Sequence, residues 1–275
     1  MSPLAIILIL GLVQGLCEFL PVSSSGHLVL AQAFLGLREP EVLLDLVLHL
    51  GTLLAVLVFY RQSLAALARE LRFIPSAILG GRLVPLWRGR PDFRLGLLIV
   101  LGSVPTAAIG LLAHRPLEAL FGSVRAVGLA LLATALVLVL TRLRRTPGLR
   151  TVRLMTAADA LIIGTVQGLA IAPGLSRSGL TIACALLLGL DRELAARYSF
   201  LLSIPAILGG LALSLAQGQA SSLPPWLLLA GLAVSAVTGY LSLRLLAYIV
   251  DRGRLPLFAP WCLLVGLAAL LLPLG

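Results

Sequence analysis

Residues 14–27 read QGLCEFLPVSSSGH, and this stretch decides how the rest of the chain is interpreted. It places a carboxylate, three consecutive hydroxyls and an imidazole between two apolar segments. Polar and ionisable side chains in apolar surroundings cost free energy, and within a membrane they usually mark a functional site. Glu18, Ser24 and His27 are therefore the first candidates for a functional site.

The composition indicates a membrane protein. Hydrophobic residues make up 60% of the 275 residues, charged residues make up only 12%, and the mean hydropathy is +1.08. All 21 basic residues are arginines. Most lie in short connections between apolar segments, which is typical of membrane topology and not of nucleic-acid binding. We therefore predict an all-α polytopic protein with a single integral-membrane domain over residues 1–275, in contact with membrane lipid and without a nucleic-acid partner.

Two parts of the chain are apolar but too short to cross a membrane. Residues 3–20 are closed by Pro21, and residues 27–37 form a second short piece. A crossing helix needs about 20 apolar residues, so the two pieces predict a re-entrant helical hairpin shielded by protein. Residues 156–190, with the loop APGLSRSG at 172–179, predict a second hairpin.

Six longer apolar segments are predicted to cross the membrane. They lie at about 43–60, 95–113, 122–142, 197–217, 225–247 and 256–274. Arginine-rich connections at 61–94 and 143–155 are predicted as cytoplasmic loops, the first with room for an interfacial helix. Both termini are then expected outside, with the first hairpin entering from outside and the second from the cytoplasm.

The hairpins belong to an internal repeat. Aligning Gln14 with Gln167 gives an offset of 153 residues (167 − 14). The same offset superposes Gly11 on Gly164, Gly15 on Gly168, Ser23 on Ser176, Ser25 on Ser178, Gly26 on Gly179 and Gly36 on Gly189. Each half, 1–142 and 156–275, contains one hairpin and three spans, and an odd number of crossings inverts the second half. The sequence thus predicts an inverted-topology repeat whose hairpin tips meet near the midplane.

The meeting point of the tips is suited to an anion. Each tip leads into a helix that begins at a Ser-Gly pair, so two helix N-termini, each with about half a positive charge, converge. Arg177 adds a guanidinium that matches phosphate oxygens. The predicted substrate-binding residues are Arg177, Ser23, Ser25, Gly26, Ser176, Ser178 and Gly179. Ser25 and Ser178, which precede the two glycines, are also the expected helix caps.

The first tip carries the groups that catalysis needs. Ser24 or a neighbouring hydroxyl is the candidate nucleophile, and His27 is the candidate to relay or orient its proton. Glu18, with Gln14 one helical turn earlier, is a candidate ligand for a divalent cation, Mg²⁺ or alternatively Ca²⁺. A polar site in apolar surroundings favours a substrate with an anionic head and a lipid tail.

Structural alternatives exist for these residues. Glu18 could bond to the hairpin backbone, Arg177 could pair with Glu18 without a ligand, and His27 could have a structural role. Asp45 and His49 lie one helical turn apart. They either line the same cavity or satisfy each other, and the sequence leaves both interpretations open.

These motifs resemble those of the undecaprenyl pyrophosphate phosphatases, also called bacitracin-resistance proteins. The first family motif matches Gln14, Glu18, Pro21, Ser23, Ser24, Gly26 and His27, and the second matches Pro173, Gly174, Ser176, Arg177, Ser178 and Gly179. The segments HLGTLLAV at 49–56 and SFLLSIPA at 199–206 extend the resemblance over nearly the whole chain. Position 14 is the departure, because some members have glutamate there and this chain has glutamine.

The resemblance implies an undecaprenyl-diphosphate phosphatase of the bacterial inner membrane, a phosphoric anhydride hydrolase. Such an enzyme cleaves an isoprenyl diphosphate lipid, recycles the carrier for peptidoglycan and cell-wall synthesis, and confers bacitracin resistance. By position, the resemblance implies Ser24 as nucleophile, His27 as its acid-base partner, Glu18 as metal ligand or catalytic carboxylate, and Arg177 as the diphosphate clamp. It also implies an active site open to the periplasmic face. The sequence allows a homodimer without requiring one.

A transporter or flippase for an anionic lipid phosphate is the rival interpretation. Inverted repeats, broken helices and a midplane anion site also describe secondary carriers. A carrier needs Arg177 and the helix ends but no nucleophile. The second tip lacks the catalytic group, since Ile171, Arg177 and Leu180 stand at the positions of Glu18, Ser24 and His27. This asymmetry favours the enzyme, and a purely structural scaffold leaves the polar tips unexplained.

Overall fold

The computed structural model describes residues 2–34, 42–80, 83–113, 120, 123–144, 148–216 and 223–271. Within these ranges the chain is helical and forms no β-strand. The helices are α1 (Pro3–Phe19), α2 (Ser24–Phe34), α3 (Val42–Phe59), α4 (Arg61–Leu71), α5 (Ile74–Leu79), α6 (Leu83–Gly89), α7 (Pro91–Leu112), α8 (Val124–Leu140), α9 (Ala157–Leu169), α10 (Arg177–Leu187), α11 (Arg192–Ala216), α12 (Pro225–Asp251) and α13 (Ala259–Leu271). Short 3-10 segments follow α8 at Thr141–Leu143 and precede α13 at Leu255–Phe258.

The long helices confirm a multi-pass, all-helical membrane protein. Four helices of the described ranges, α7, α8, α11 and α12, are long and apolar enough to cross a membrane, and a fifth span results if α3 and α4, which bend by 77°, count as one. The predicted span at 256–274 corresponds to the shorter apolar stretch Leu255–Leu271. Its residues 272–274 lie outside the described residues.

The predicted hairpin halves are the short helices α1, α2, α9 and α10. Helix α1 ends at Phe19 and α2 begins at Ser24, three residues before the predicted apolar piece 27–37, because Ser23 supplies the helix cap. The end of the predicted piece, residues 35–37, and the proposed Gly36 pair lie outside the described residues.

The arginine-rich stretch 61–94 was expected to be a loop with at most one interfacial helix. It instead forms the three short helices α4, α5 and α6, and α7 already begins at Pro91. In α4, Leu64 and Leu67 are spaced to share one helix face and pack against the core, while Arg69 is exposed. Arg69 lies on the opposite face of the helix. In the sequence, the high density of arginines makes the helical spacing of the leucines hard to recognise.

The repeated glycines let helices approach closely in both halves of the chain. Helix α1 packs along α12, and α9 packs along α7. A Cβ atom on Gly15 would lie 1.8 Å from Thr238 Oγ1, and one on Gly164 would lie 1.9 Å from the carbonyl oxygen of Gly102. Small residues at such crossings allow backbone contact between membrane helices.

Gly164→Ala is therefore expected to destabilise the protein by about 2–3 kcal/mol, because the added methyl group must push α9 away from α7. Gly209→Ala is the matched control, since a Cβ at Gly209 would have no heavy atom of the described residues within 4 Å beyond its chain neighbours and its own helix backbone. Thermal unfolding in detergent checks this. Equal melting temperatures for the two variants would contradict the close crossing.

Candidate active site

The two hairpin tips contact each other reciprocally. A Cβ atom on Gly26 would lie 3.0 Å from Gly174 Cα, and a Cβ atom on Gly179 would lie 3.0 Å from Pro21 Cβ. Gly26 and Gly179 are equivalent in the repeat, and so are Pro21 and Gly174. The two tips therefore contact each other through equivalent positions of the repeat. This contact brings the N-termini of α2 and α10 together.

Serine caps define where α2 and α10 begin. Ser23 Oγ accepts the Gly26 N–H at 3.3 Å, and Ser176 Oγ accepts the Gly179 N–H at 3.1 Å. The prediction that Ser25 and Ser178 cap these helices is wrong, because a cap precedes the helix and bonds the N–H three residues later. The hydroxyls of Ser25 and Ser178 instead lie 3.4 Å from those of the two caps.

Glu18 is the centre of the site. Its side chain is 3% exposed. Oε2 accepts the Ser24 hydroxyl at 2.5 Å and the Gln14 amide at 3.0 Å, while Oε1 pairs with Nη2 of Arg177. The carboxylate of the first tip thus bonds the candidate nucleophile of its own tip and the guanidinium of the other. The alternative that Arg177 pairs with Glu18 in the absence of ligand is what the structure shows.

Asp45 and His49 line the same cavity as Glu18. His49 Nδ1 lies 2.7 Å from the Asp45 carbonyl oxygen, so its proton is donated to backbone and not to the carboxylate. His49 Nε2 lies 3.7 Å from Glu18 Oε2, and Asp45 Oδ1 accepts the Gln32 amide at 3.3 Å. Of the two interpretations that the sequence left open, the structure supports the shared cavity.

His27 has partners other than Ser24. Its Nε2 accepts the indole N–H of Trp261 at 3.0 Å, and its Nδ1 lies 2.9 Å from the carbonyl oxygen of Ser23. Trp261 was missed at the sequence level, because it lies in the last apolar segment, far along the chain, and nothing local connects it to the tip.

The cavity at the tips has a volume of about 750 Å³ and is lined by both polar and apolar side chains. Its polar lining includes Glu18, Ser23, Ser24, Ser25, Asp45, His49, Ser103, Thr106, Gln167, Ser176 and Arg177. Its apolar lining includes Leu46, Leu50, Leu111, Ile171, Leu211 and Leu213. The predicted residues Gln14, Gly26, His27, Ser178 and Gly179 are not among the described residues that line it. This arrangement fits an anionic head with an apolar tail.

The donor set fits a divalent cation only in part. Across the described ranges, no cluster of three or more His, Cys, Asp or Glu side chains is placed to hold a metal. The amide nitrogen of Gln14 donates to Glu18, and its Oε1 is buried and has no hydrogen-bond partner among the residues that the structure describes. Mg²⁺ is often held by one or two carboxylates together with substrate phosphates. Glu18, which lines the cavity, therefore fits a cation shared with a diphosphate, whereas the Gln14 carbonyl is buried behind it, and the described residues do not make a metal site by themselves.

Comparisons with known proteins match nearly the whole chain. The profile of the family described as bacitracin resistance protein BacA matches residues 7–268. A protein of Desulfatibacillum aliphaticivorans named undecaprenyl-diphosphatase is 50% identical over 256 residues, which cover 92% of both chains. A protein of the same name from Desulfosudis oleivorans is 48% identical over 254 residues, covering 91% of this chain and 92% of the relative. A third, from Desulforapulum autotrophicum, is 45% identical over 253 residues, or 91% of each chain.

Proposed function

The chain is a member of the bacitracin resistance protein BacA family, and we propose that it hydrolyses undecaprenyl diphosphate to undecaprenyl phosphate and inorganic phosphate. One observation carries this proposal: the Ser24 hydroxyl donates to the buried carboxylate of Glu18 beside Arg177, in the lining of the cavity. The reaction regenerates the lipid carrier for cell-wall synthesis. It also removes the diphosphate lipid, which accounts for bacitracin resistance.

Substrate binding follows from charge and shape. Nη2 of Arg177 contacts Glu18, and the other N–H donors of the guanidinium make no hydrogen bond to the described residues, which leaves them available for phosphate oxygens. The N-termini of α2 and α10 add partial positive charge on the same side. The apolar lining receives the first isoprenyl units, and the rest of the tail extends into lipid.

The first chemical step is attack by Ser24. Its Oγ forms a bond to the terminal phosphorus while its proton passes to Glu18 Oε2, which lies 2.5 Å away. The bond from this phosphorus to the bridging oxygen breaks, and the electron pair leaves with undecaprenyl phosphate. The departing monophosphate takes the proton from Glu18, which restores the carboxylate.

The second step releases phosphate. Water attacks the phosphoserine, and Glu18 accepts a proton from the water and passes it to Ser24 Oγ as that oxygen leaves. Arg177 remains beside the phosphoryl oxygens and offsets their charge in both steps. The enzyme thereby returns to its starting protonation state.

A divalent cation, Mg²⁺ or Ca²⁺, belongs to the proposal as a group held jointly by Glu18 and the diphosphate. When bound, it offsets phosphate charge and polarises the terminal phosphoryl group. Because Glu18 is the only carboxylate in that set, we expect weak binding in the absence of substrate.

Chelation is therefore expected to lower phosphate release by about 10-fold or more, and added Mg²⁺ should restore it. Glu18→Asp, which retracts the carboxylate, should raise the Mg²⁺ concentration needed for half-maximal rate. Phosphate release measured over a Mg²⁺ titration after EDTA treatment checks both statements. A rate that does not respond to EDTA would remove the cation from the mechanism.

The proposed topology has six crossings and two re-entrant hairpins in an inverted repeat of residues 1–142 and 156–275. The reciprocal tip contacts and the equivalent glycine crossings support the repeat. The arginines in 61–94 and 143–155 support a cytoplasmic location for these two stretches. With these stretches in the cytoplasm, the first hairpin enters from the periplasmic side of the inner membrane, and we propose that the active site opens toward that side.

The direct test is phosphate release from undecaprenyl diphosphate by the purified protein in detergent. We expect release by the wild type. A protein that bound the lipid through Arg177 but released no phosphate would be a carrier, and the enzyme would be rejected.

A further inference from the structure

Trp261 fixes the protonation pattern of His27. The indole N–H can only donate, so His27 Nε2, 3.0 Å away, must accept. The ring proton of the neutral imidazole is then on Nδ1, which donates to the carbonyl oxygen of Ser23 at 2.9 Å. The two rings are nearly parallel, with an interplanar angle of 13°. Both nitrogens of His27 are thus occupied, and neither bonds Ser24.

The carbonyl that His27 holds belongs to a strained residue. Ser23 has a φ of +70°, in the left-handed region that residues other than glycine rarely adopt. Such a conformation persists only where its surroundings hold it. The Ser23 carbonyl accepts both the His27 ring proton and the His27 backbone N–H, the latter at 3.1 Å. Ser24, the nucleophile, is the next residue in the chain.

Helix α13 contacts the first tip at a second point. Cys262 Sγ lies 3.4 Å from the carbonyl oxygen of Pro21, on the other side of Ser23. In the second tip, Thr134 of α8 donates to the Gly174 carbonyl at 3.1 Å and accepts the Ser176 N–H at 3.0 Å. Both tips are therefore supported by a neighbouring helix.

The ring pair is specific to the first tip. Leu180 stands at the position equivalent to His27, so no imidazole is available there to hold the second tip. The tip with the additional restraint is the one that carries the nucleophile.

We infer that Trp261 is a positioning residue for the hydrolysis: it holds His27 in the Nδ1–H form, which fixes Ser23 and directs Ser24 Oγ to Glu18. His27 is then a positioning residue as well, and Glu18 alone receives the Ser24 proton. This inference rests on the proposed phosphatase activity.

The first test replaces Trp261 by benzothienylalanine, which keeps the ring shape and loses only the N–H, alongside Trp261→Phe. We expect kcat to fall about 10- to 100-fold and KM to change by less than about twofold, because a small displacement of Ser24 affects the reaction more than binding. Trp226→Phe is the matched control, since Trp226 is 58% exposed and Trp261 is 52% exposed. Full activity of the benzothienylalanine variant would overturn the inference.

A second pair of variants separates positioning from proton transfer. Asparagine places an amide N–H where Nδ1 lies, whereas glutamine places one nearer Nε2, and neither titrates. We expect His27→Asn to be at least about tenfold more active than His27→Gln. Equal and nearly complete loss in both would make His27 the proton carrier and overturn the inference.

A measurement that does not depend on phosphatase activity tests the role of Trp261 separately from the proposed function. Nitrogen NMR of ¹⁵N-histidine protein should show His27 protonated on Nδ1 and unprotonated on Nε2, and this pattern should weaken in Trp261→Phe. A proton on Nε2 in the wild type would overturn the inference. Failure of the wild type to release phosphate would overturn the proposed function instead.

Discussion

Ser24→Ala is expected to lower kcat for phosphate release by about 10⁴-fold or more, because it removes the attacking oxygen. The Ser24 hydroxyl donates to Glu18 Oε2 at 2.5 Å, and this bond links the nucleophile to its base. Substrate binding should be nearly unchanged, since Arg177 and the apolar lining remain. Single-turnover phosphate release together with lipid binding to the variant checks both parts.

Ser25→Ala is the matched control for that prediction. Its hydroxyl lies 3.4 Å from Ser23 Oγ and makes no other hydrogen bond in the described part of the chain. We expect less than about a tenfold loss in rate. If Ser24→Ala kept a tenth of the wild-type rate, Ser24 would not be the nucleophile and water would have to attack directly.

Arg177→Ala is expected to have two separate effects. It leaves the Glu18 carboxylate buried without its partner, which should cost about 3–5 kcal/mol of stability. It also removes the cation that offsets phosphoryl charge, which should lower kcat/KM by about 10³-fold. Thermal unfolding and phosphate release measure the two effects independently. Arg177→Lys, which retains the charge without the planar donor set, should recover most of the stability and little of the activity.

A double variant distinguishes the two effects of Arg177. Glu18→Gln combined with Arg177→Ala removes both charges, so the melting temperature should rise above that of Arg177→Ala alone. Activity should stay lost because the base and the clamp are both absent. A double variant as unstable as the single one would show that the pair does not act as an isolated buried ion pair.

Local periodicity and the internal repeat made much of the site predictable. Gln14 and Glu18 are one helical turn apart, and their hydrogen bond follows from that spacing. The contact between Glu18 and Arg177 joins residues 159 positions apart. It was still foreseeable, because a repeat of two hairpins requires the tips to meet.

Contacts between distant residues could not be predicted where neither the internal repeat nor a local spacing connects the two residues. Trp261 bonds His27 across 234 positions, and in the sequence it is one aromatic residue in an apolar segment. The Ser-Gly pair at 25–26 predicts a helix that begins there, with Ser25 as its cap. The structure starts α2 one residue earlier, after a left-handed Ser23 that sequence propensity disfavours. Tertiary contacts at the tip hold that backbone.

The stereochemical course at phosphorus tests the account most directly. Undecaprenyl diphosphate with a chiral, isotopically labelled terminal thiophosphoryl group can be hydrolysed in labelled water and the configuration of the released thiophosphate determined. Attack by Ser24 followed by attack of water on the phosphoserine inverts the centre twice, so we predict net retention. Net inversion would mean that water attacks the diphosphate in a single step, and it would contradict the assignment of Ser24 as nucleophile.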